Sequence, residues 1–381
     1  MPIHPFKLER YFAEYEFTAR HLLSPSDCET MPMRDLVSQA DAEMRAAWDT
    51  LALGYTESAG NPLLRSEVAH LYDRIEMDEV LVAAPEEAIL ITMHALLSPG
   101  DHVIVTYPGY QSLYEIARSL GCEITHWTLA PSEDRWRLDL QFLADHITPR
   151  TKLLVINFPH NPTGHSLTQE EFDAILDLAR RHNLYVLSDE MYRLLEYNRA
   201  SRLPSACDAY ERAVSLSGLS KSFGLPGLRI GWLATRDRSA MSAFAKIKDY
   251  TTICSSAPSE ILAIIALRAR ESIVARNLGI VLENLAVADR FFERFSHLFR
   301  WLRPLAGPVA FPSLVLEIPI DQFCRNLLTR EGVMVVPGSL FEFAGNHFRV
   351  GLGRKNFPEA LERVAIYVES LLNARSANLF L

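Results

Sequence analysis

Ser217-Gly218-Leu219-Ser220-Lys221-Ser222-Phe223-Gly224-Leu225-Pro226-Gly227-Leu228-Arg229-Ile230-Gly231-Trp232 decides how this chain is read. A lone lysine is by default a solvated surface group. Here small residues crowd Lys221 on both sides, so the backbone can come close to a ligand. A lysine amine in such a place can form a Schiff base with an aldehyde and later be displaced by a substrate amine.

Working outward, polar motifs stand at the ends of short apolar runs of β type. Pro108-Gly109-Tyr110 follows His102–Thr106, Asn161-Pro162-Thr163-Gly164 follows Leu153–Asn157, and Asp189-Glu190-Met191-Tyr192 follows Leu184–Ser188. Ala213–Leu216 precedes the lysine stretch, which itself closes on the run Ile230–Ala234. Helical patterns separate most of these runs, as in a mostly parallel sheet covered by helices. Ligands in such sheets bind beyond the carboxyl ends of the strands. One helical pattern lies between Asn161 and Asp189, so the two residues are expected at adjacent strand ends.

A helical pattern is expected over Pro258–Arg300, closed near Pro304. Short strands are expected at Leu314–Ile318, Val333–Val336 and His347–Val350, then a helix over Pro358–Leu372. The division expected is an N-terminal arm over residues 1–45, a large domain over 46–275 and a smaller α+β domain over 276–381. No internal repeat or long linker interrupts it.

The chain has 381 residues with 49% hydrophobic content, enough for sizeable cores. A net charge of −9 disfavours nucleic-acid partners. Cys28, Cys122, Cys207, Cys254 and Cys324 are scattered and odd in number, which suggests neither a metal site nor a disulfide framework and fits a reducing cytoplasm. No apolar stretch is long enough to span a bilayer, and the start carries no leader pattern.

Taken in order, these motifs together with Arg349 in His347-Phe348-Arg349-Val350-Gly351 resemble the active site of pyridoxal-phosphate enzymes of the aspartate aminotransferase fold, fold type I, class I and II. The resemblance covers nearly the whole chain. It implies an α/β large domain with helices on both faces of the sheet, a smaller α+β domain, and pyridoxal 5'-phosphate as cofactor. It also implies roles: Lys221 as Schiff-base lysine and proton carrier, and Asp189 as the partner of the protonated pyridine nitrogen. Tyr192 and Asn161 would bond the cofactor's phenolic oxygen. Tyr110 would stack on the ring. Arg229 would grip the phosphate, and Arg349 the substrate α-carboxylate. Tyr55 would reach the phosphate of a neighbouring subunit, which implies a homodimer. By themselves Asn161–Gly164 are equally a tight turn and Tyr110 equally a core residue.

Two places depart from the family pattern, both at the phosphate. The helix start is Ala83-Ala84-Pro85-Glu86-Glu87, where Pro85 lacks an N–H and Glu86 is expected to contribute only its backbone. Gly218 stands where a hydroxyl residue is common, leaving Ser217 or Ser220 to supply the oxygen.

The implied activity is transamination of an L-amino acid with a 2-oxo acid acceptor. Phe12–Phe17, Ser24–Asp27 and Ala84–Glu87 resemble capreomycidine synthase and related cyclising enzymes, which remove water from a hydroxylated arginine and close a ring. On that alternative Glu16 and Asp27 would pair with the guanidinium. An open competing reading puts Glu14 and Glu16 on an exposed helix face and Asp27 in a turn. A cofactor-binding effector module of a transcription regulator is disfavoured, because no basic helix-turn-helix pattern precedes Tyr55.

Overall fold

The computed structural model describes residues 2–378. Seven strands form the main sheet: β1 Val80–Ala83, β2 His102–Tyr107, β3 Glu123–Thr128, β4 Thr151–Asn157, β5 Tyr185–Asp189, β6 Ala213–Gly218 and β7 Gly231–Ala234. Their order is β1-β7-β6-β5-β4-β2-β3, and β7 alone runs against its neighbours.

Period-two alternation sorts the side chains between faces. Val103, Val105, Val155 and Leu187 pack with the helices Pro85–Leu96, Ser112–Ser119 and Arg238–Lys248. Ile104, Leu154, Ile156 and Val186 pack instead with Phe172, Ile175 and Leu176 of Gln169–Arg181. That helix starts with a capping box in which Thr168 and Glu171 satisfy each other's backbone N–H groups. Covered on both faces, the inner strands are mostly apolar, and Asn157 and Asp189 stand at the carboxyl ends of β4 and β5. The fold is α/β, as the resemblance implies.

A separate core gathers around Phe291, Phe292, Phe323, Phe348 and Tyr367. It joins the helices Arg270–Arg294, Ile320–Glu331 and Phe357–Asn378 to the three-stranded sheet of Val309–Ala310, Phe348–Gly351 and Val336–Pro337. Leu23 and Cys28 belong to this core, because His21–Leu22 pairs in parallel with Val333–Met334. The N-terminal helix Lys7–Tyr15 is pinned at both ends of its reach. Lys7 N–H donates to Gln111 Oε1 at 2.9 Å, and the Tyr11 hydroxyl donates to the Val335 carbonyl at 3.0 Å. It therefore bridges the large sheet and the second core.

The expected helix over Pro258–Arg300 is two helices, Ala257–Arg268 and Arg270–Arg294, with Ala269 leaving helical geometry at φ −91° and ψ 12°. Phe299–Arg300 is a strand paired with Ser313–Leu314, and the expected strand at Leu314–Ile318 shrinks to that pair, followed by one further backbone bond from Val315 N–H to the Leu298 carbonyl at 2.8 Å. Among the described residues no helix is long and apolar enough to cross a membrane.

Candidate active site

The carboxyl ends of β4 and β5 are neighbours, with Asn157 opposite Asp189. Asn157 Nδ2 donates to the Asp189 carbonyl at 3.0 Å, and its Oδ1 accepts the Asn161 N–H at 2.9 Å. One side chain thus locks the turn carrying Asn161 to the strand carrying Asp189. The Asp189 carboxylate is buried and accepts the Met191 N–H at 3.1 Å. Burial pushes its pKa up to about 6 against that bond and the Lys221 ammonium, which both favour the charged form.

Lys221 lies across the cleft, half-buried, with Nζ 2.9 Å from Ser26 Oγ. Burial draws its amine below the ordinary lysine value, helped by Arg349 and opposed by Asp27. Arg349 comes from the second core and is wholly buried; it donates to Asn161 Oδ1 at 3.1 Å and to the Ser24 carbonyl at 2.9 Å. The loop Ser24–Cys28 reaches Lys221 because it lies flat on the strand of Arg349. A side chain at Gly351 would collide with the Pro25 carbonyl, so only glycine permits that approach.

Pro85, Glu86, Ser220 and Arg229 also line the cleft. The two departures at the phosphate explain each other. A Cβ on Gly231 would lie 2.9 Å from Pro85 Cγ, and one on Gly218 2.8 Å from Gly231 Cα. The backbone of Ile230 and Gly231 crowds a side chain at position 218, and Pro85 Cγ lies against the same spot at 3.4 Å. Of the two serines offered as substitutes, Ser220 lines the cleft. Ser217 does not; it lines a separate small cavity with Tyr72, Arg193 and Trp232. Arg229 is held with φ 54°, and its Nη1 donates to the Pro226 carbonyl at 2.9 Å.

Tyr110 lines the cleft, its ring 4.9 Å from Phe6 and its hydroxyl donating to Glu9 Oε1 at 3.1 Å. Glu16 caps the N-terminal helix and also faces the cleft, where burial and then Asp27 raise its carboxyl. Asp27 is buried there too, both oxygens 2.9 Å from Arg354 Nη2. Tyr55 is 93% exposed and stands outside this cleft, beside Thr252 and Cys254.

Sequence reading missed Glu9, Phe12, Ser26 and Asn157, all lining the cleft. Asn157 was legible as the polar end of an apolar strand. Glu9 and Phe12 share a helix face with Glu16, a spacing of three and four that signals one side of a helix.

The cleft has a volume of about 430 Å³. Tyr192 Oη and Ser220 Oγ, on residues that line it, are buried without hydrogen-bond partners of good geometry, as is Nε of Arg349, whose Nη1 donates to the cleft residue Asn161. Buried polar atoms are normally satisfied, so these orphans mark the place of a polar ligand. The lining fits pyridoxal phosphate: a cation in Arg229, hydroxyls in Ser220 and Tyr192, a buried acid in Asp189 and the Lys221 amine.

The family pattern described as "Aminotransferase class I and II" matches residues 23–364. Capreomycidine synthase of Streptomyces vinaceus is 31% identical over 70% of this chain and 67% of its own length. The arginine–pyruvate transaminase of Pseudomonas aeruginosa is 29% identical over 86% of each. The fold matches a PLP-dependent aminotransferase from Streptococcus suis with TM-score 0.91 and 30% identity, covering 97% of this chain and 99% of that one. It also matches a PLP-dependent cyclase with TM-score 0.87 and 27% identity, covering 97% and 98%. Family pattern, relatives and orphaned cleft agree, and the chain belongs to the class I and II aminotransferases, enzymes that work with pyridoxal 5'-phosphate.

Proposed function

We propose that this enzyme moves the α-amino group of an L-amino acid to a 2-oxo acid. The observation that carries the reading is Lys221 in one cleft with a buried acid, Asp189, while the buried cation Arg349 reaches the cleft residue Asn161 and helps to draw the lysine amine down. Bound pyridoxal phosphate supplies an aldehyde carbon to take up the amino group and a ring to draw electrons from the substrate α-carbon. Lys221, whose amine burial draws below its ordinary value, would carry the proton lost from the substrate α-carbon. Asp189 would hold the ring nitrogen in its protonated form. Tyr192 and Asn161 would hydrogen-bond the phenolic oxygen, and Tyr110 would cover the ring. Arg229, Ser220 and the backbone N–H groups that follow Pro85 at the helix start would hold the phosphate. Arg349 clamps the substrate α-carboxylate, since a planar fork pairs with a carboxylate at two points.

The substrate side chain is basic on this reading. Glu9, Glu16 and Asp27 line the cleft, and one relative is named an arginine–pyruvate transaminase. The same acids favour a second reading, a cyclising lyase acting on a hydroxylated arginine, with Lys221 moving the proton but no net amino transfer. The residue divisions 1–45, 46–275 and 276–381 are retained as arm, large and small domains. The protein works as a cytoplasmic homodimer, with Tyr55 reaching the partner's phosphate. Its strong exposure, together with Leu53, Tyr250 and Ile253 nearby on the surface loops, supports a covered face there, and the five free cysteines support a reducing compartment.

A single-turnover reaction of cofactor-loaded enzyme with a panel of amino acids, including hydroxylated arginines, tests both readings. Amine-form cofactor with a released 2-oxo acid establishes transamination. Loss of water with the aldehyde form retained establishes the lyase. No change with any amino acid would refute both.

A further inference from the structure

The helix Pro85–Leu96 opens at the phosphate end with two consecutive glutamates whose side chains part company. Glu87 turns back, accepting the Ala84 N–H at 3.2 Å and the Thr252 Oγ1 hydroxyl at 2.7 Å. Glu86 turns into the cleft, where the Ser112 hydroxyl at 3.3 Å is its hydrogen bond. A carboxylate can collect several donors, and this one contact leaves the rest of the group open to the cleft. The charges facing it are Glu9 from the N-terminal helix, Asp189 from β5 and Arg229 from the loop before β7, and the further titratable group beside it is the Tyr110 hydroxyl from the loop after β2. Two are anions. Arg229, the one cation among them, forms no ion pair with Glu86, and among the described residues no carboxylate pairs with it. The neighbouring Ser220 Oγ is buried without a partner. An ionised Glu86 would add a third anion beside an incoming phosphate. A protonated one would add a donor where Pro85 has removed an N–H.

We propose that Glu86 binds the cofactor phosphate through its side chain as a neutral carboxylic acid, donating its proton to a phosphate oxygen, so that cofactor retention weakens in alkali. Burial, the largest influence on this carboxyl, already pushes it up to about 7 before any phosphate arrives. A nearby dianion pushes it further in the same direction. Binding that needs the proton is complete below about pH 7 and is lost above it. The inference rests on the cofactor assignment made above.

The test is binding of pyridoxamine 5'-phosphate, which carries the phosphate but no aldehyde for Lys221, to cofactor-free wild-type, Glu86→Gln and Glu86→Ala proteins from pH 6 to 9 by equilibrium dialysis. Titration of the ligand itself is common to all three and cancels in the ratio. Glu86→Gln, a permanent neutral donor, should gain on wild type by about fiftyfold between pH 7 and 9, the loss expected of a group with pKa near 7. Glu86→Ala should bind more weakly than wild type at pH 6 and more tightly at pH 9. Unphosphorylated pyridoxamine should show a constant ratio. A ratio that stays flat for the phosphorylated ligand, or changes equally for the unphosphorylated one, overturns the proposal while leaving the cofactor assignment intact. No binding of either ligand by wild type at pH 6.5 sinks both.

Discussion

Asp189 is a buried carboxyl with one backbone donor, so the cofactor-free protein holds its charge at a cost. Its pKa rises from 3.8 to about 6, with burial as the leading cause. At about 1.4 kcal/mol per pH unit, that gap corresponds to about 3 kcal/mol. The sign follows from proton uptake: between the two values the native state binds more proton than the unfolded chain. Stability is therefore lost as pH rises through this window, and the full cost is present above pH 6. Asn in place of Asp keeps the shape and the acceptor for Met191 N–H while removing the charge.

We therefore expect cofactor-free Asp189→Asn to be more stable than wild type by up to about 3 kcal/mol at pH 7.5, with the advantage shrinking as pH falls below 6. Urea denaturation of both proteins at pH 4.5, 6 and 7.5 measures it. The same variant should bind cofactor more weakly and lose several factors of ten in turnover, each ~1.4 kcal/mol being tenfold. A variant that is equally stable at every pH, or less stable at pH 7.5, would show that Asp189 is not a strained charge, and the electron-sink role would lose its physical motive.

Three further substitutions probe other parts of the cleft. Lys221→Ala should lose about a thousandfold or more in turnover and still retain cofactor on dialysis through Asp189 and Arg229; turnover within tenfold of wild type would remove the lysine as proton carrier. Arg349→Ala leaves Asn161 Oδ1 and the Ser24 carbonyl unpaired, and should weaken amino-acid binding by about 2–5 kcal/mol in steady-state KM; an equal loss for the corresponding amines, which lack the carboxylate, would refute the clamp. Gly231→Ala puts a Cβ 2.8 Å from the Ser217 carbonyl and 2.9 Å from Pro85 Cγ, and should lower stability by about 1–3 kcal/mol; an unchanged melting midpoint would mean the helix start yields freely.

The β-type runs and the polar residues at their ends were legible in the sequence because both signals are local. An apolar run buried on both faces has little choice but a strand, and Asn161, Asp189 and Lys221 each follow one within a few residues. Tertiary closure was less legible. Ser26 meets Lys221, and Glu9 meets Tyr110, across separations that no periodicity encodes. The choice between Ser217 and Ser220 turned on strand facing beyond a glycine pair, and the break at Ala269 carries neither proline nor glycine to announce it. Gly218 and Pro85 show how these limits arise. Each looked like a lost phosphate contact when taken alone, and only their proximity in space makes them one feature: a proline ring seated on a glycine pair. With the helix start packed so closely on β6 and β7, the second residue of the helix projects its side chain into the cleft. That geometry is why the side chain of Glu86, a residue expected to offer only backbone, lines the cleft together with Arg229.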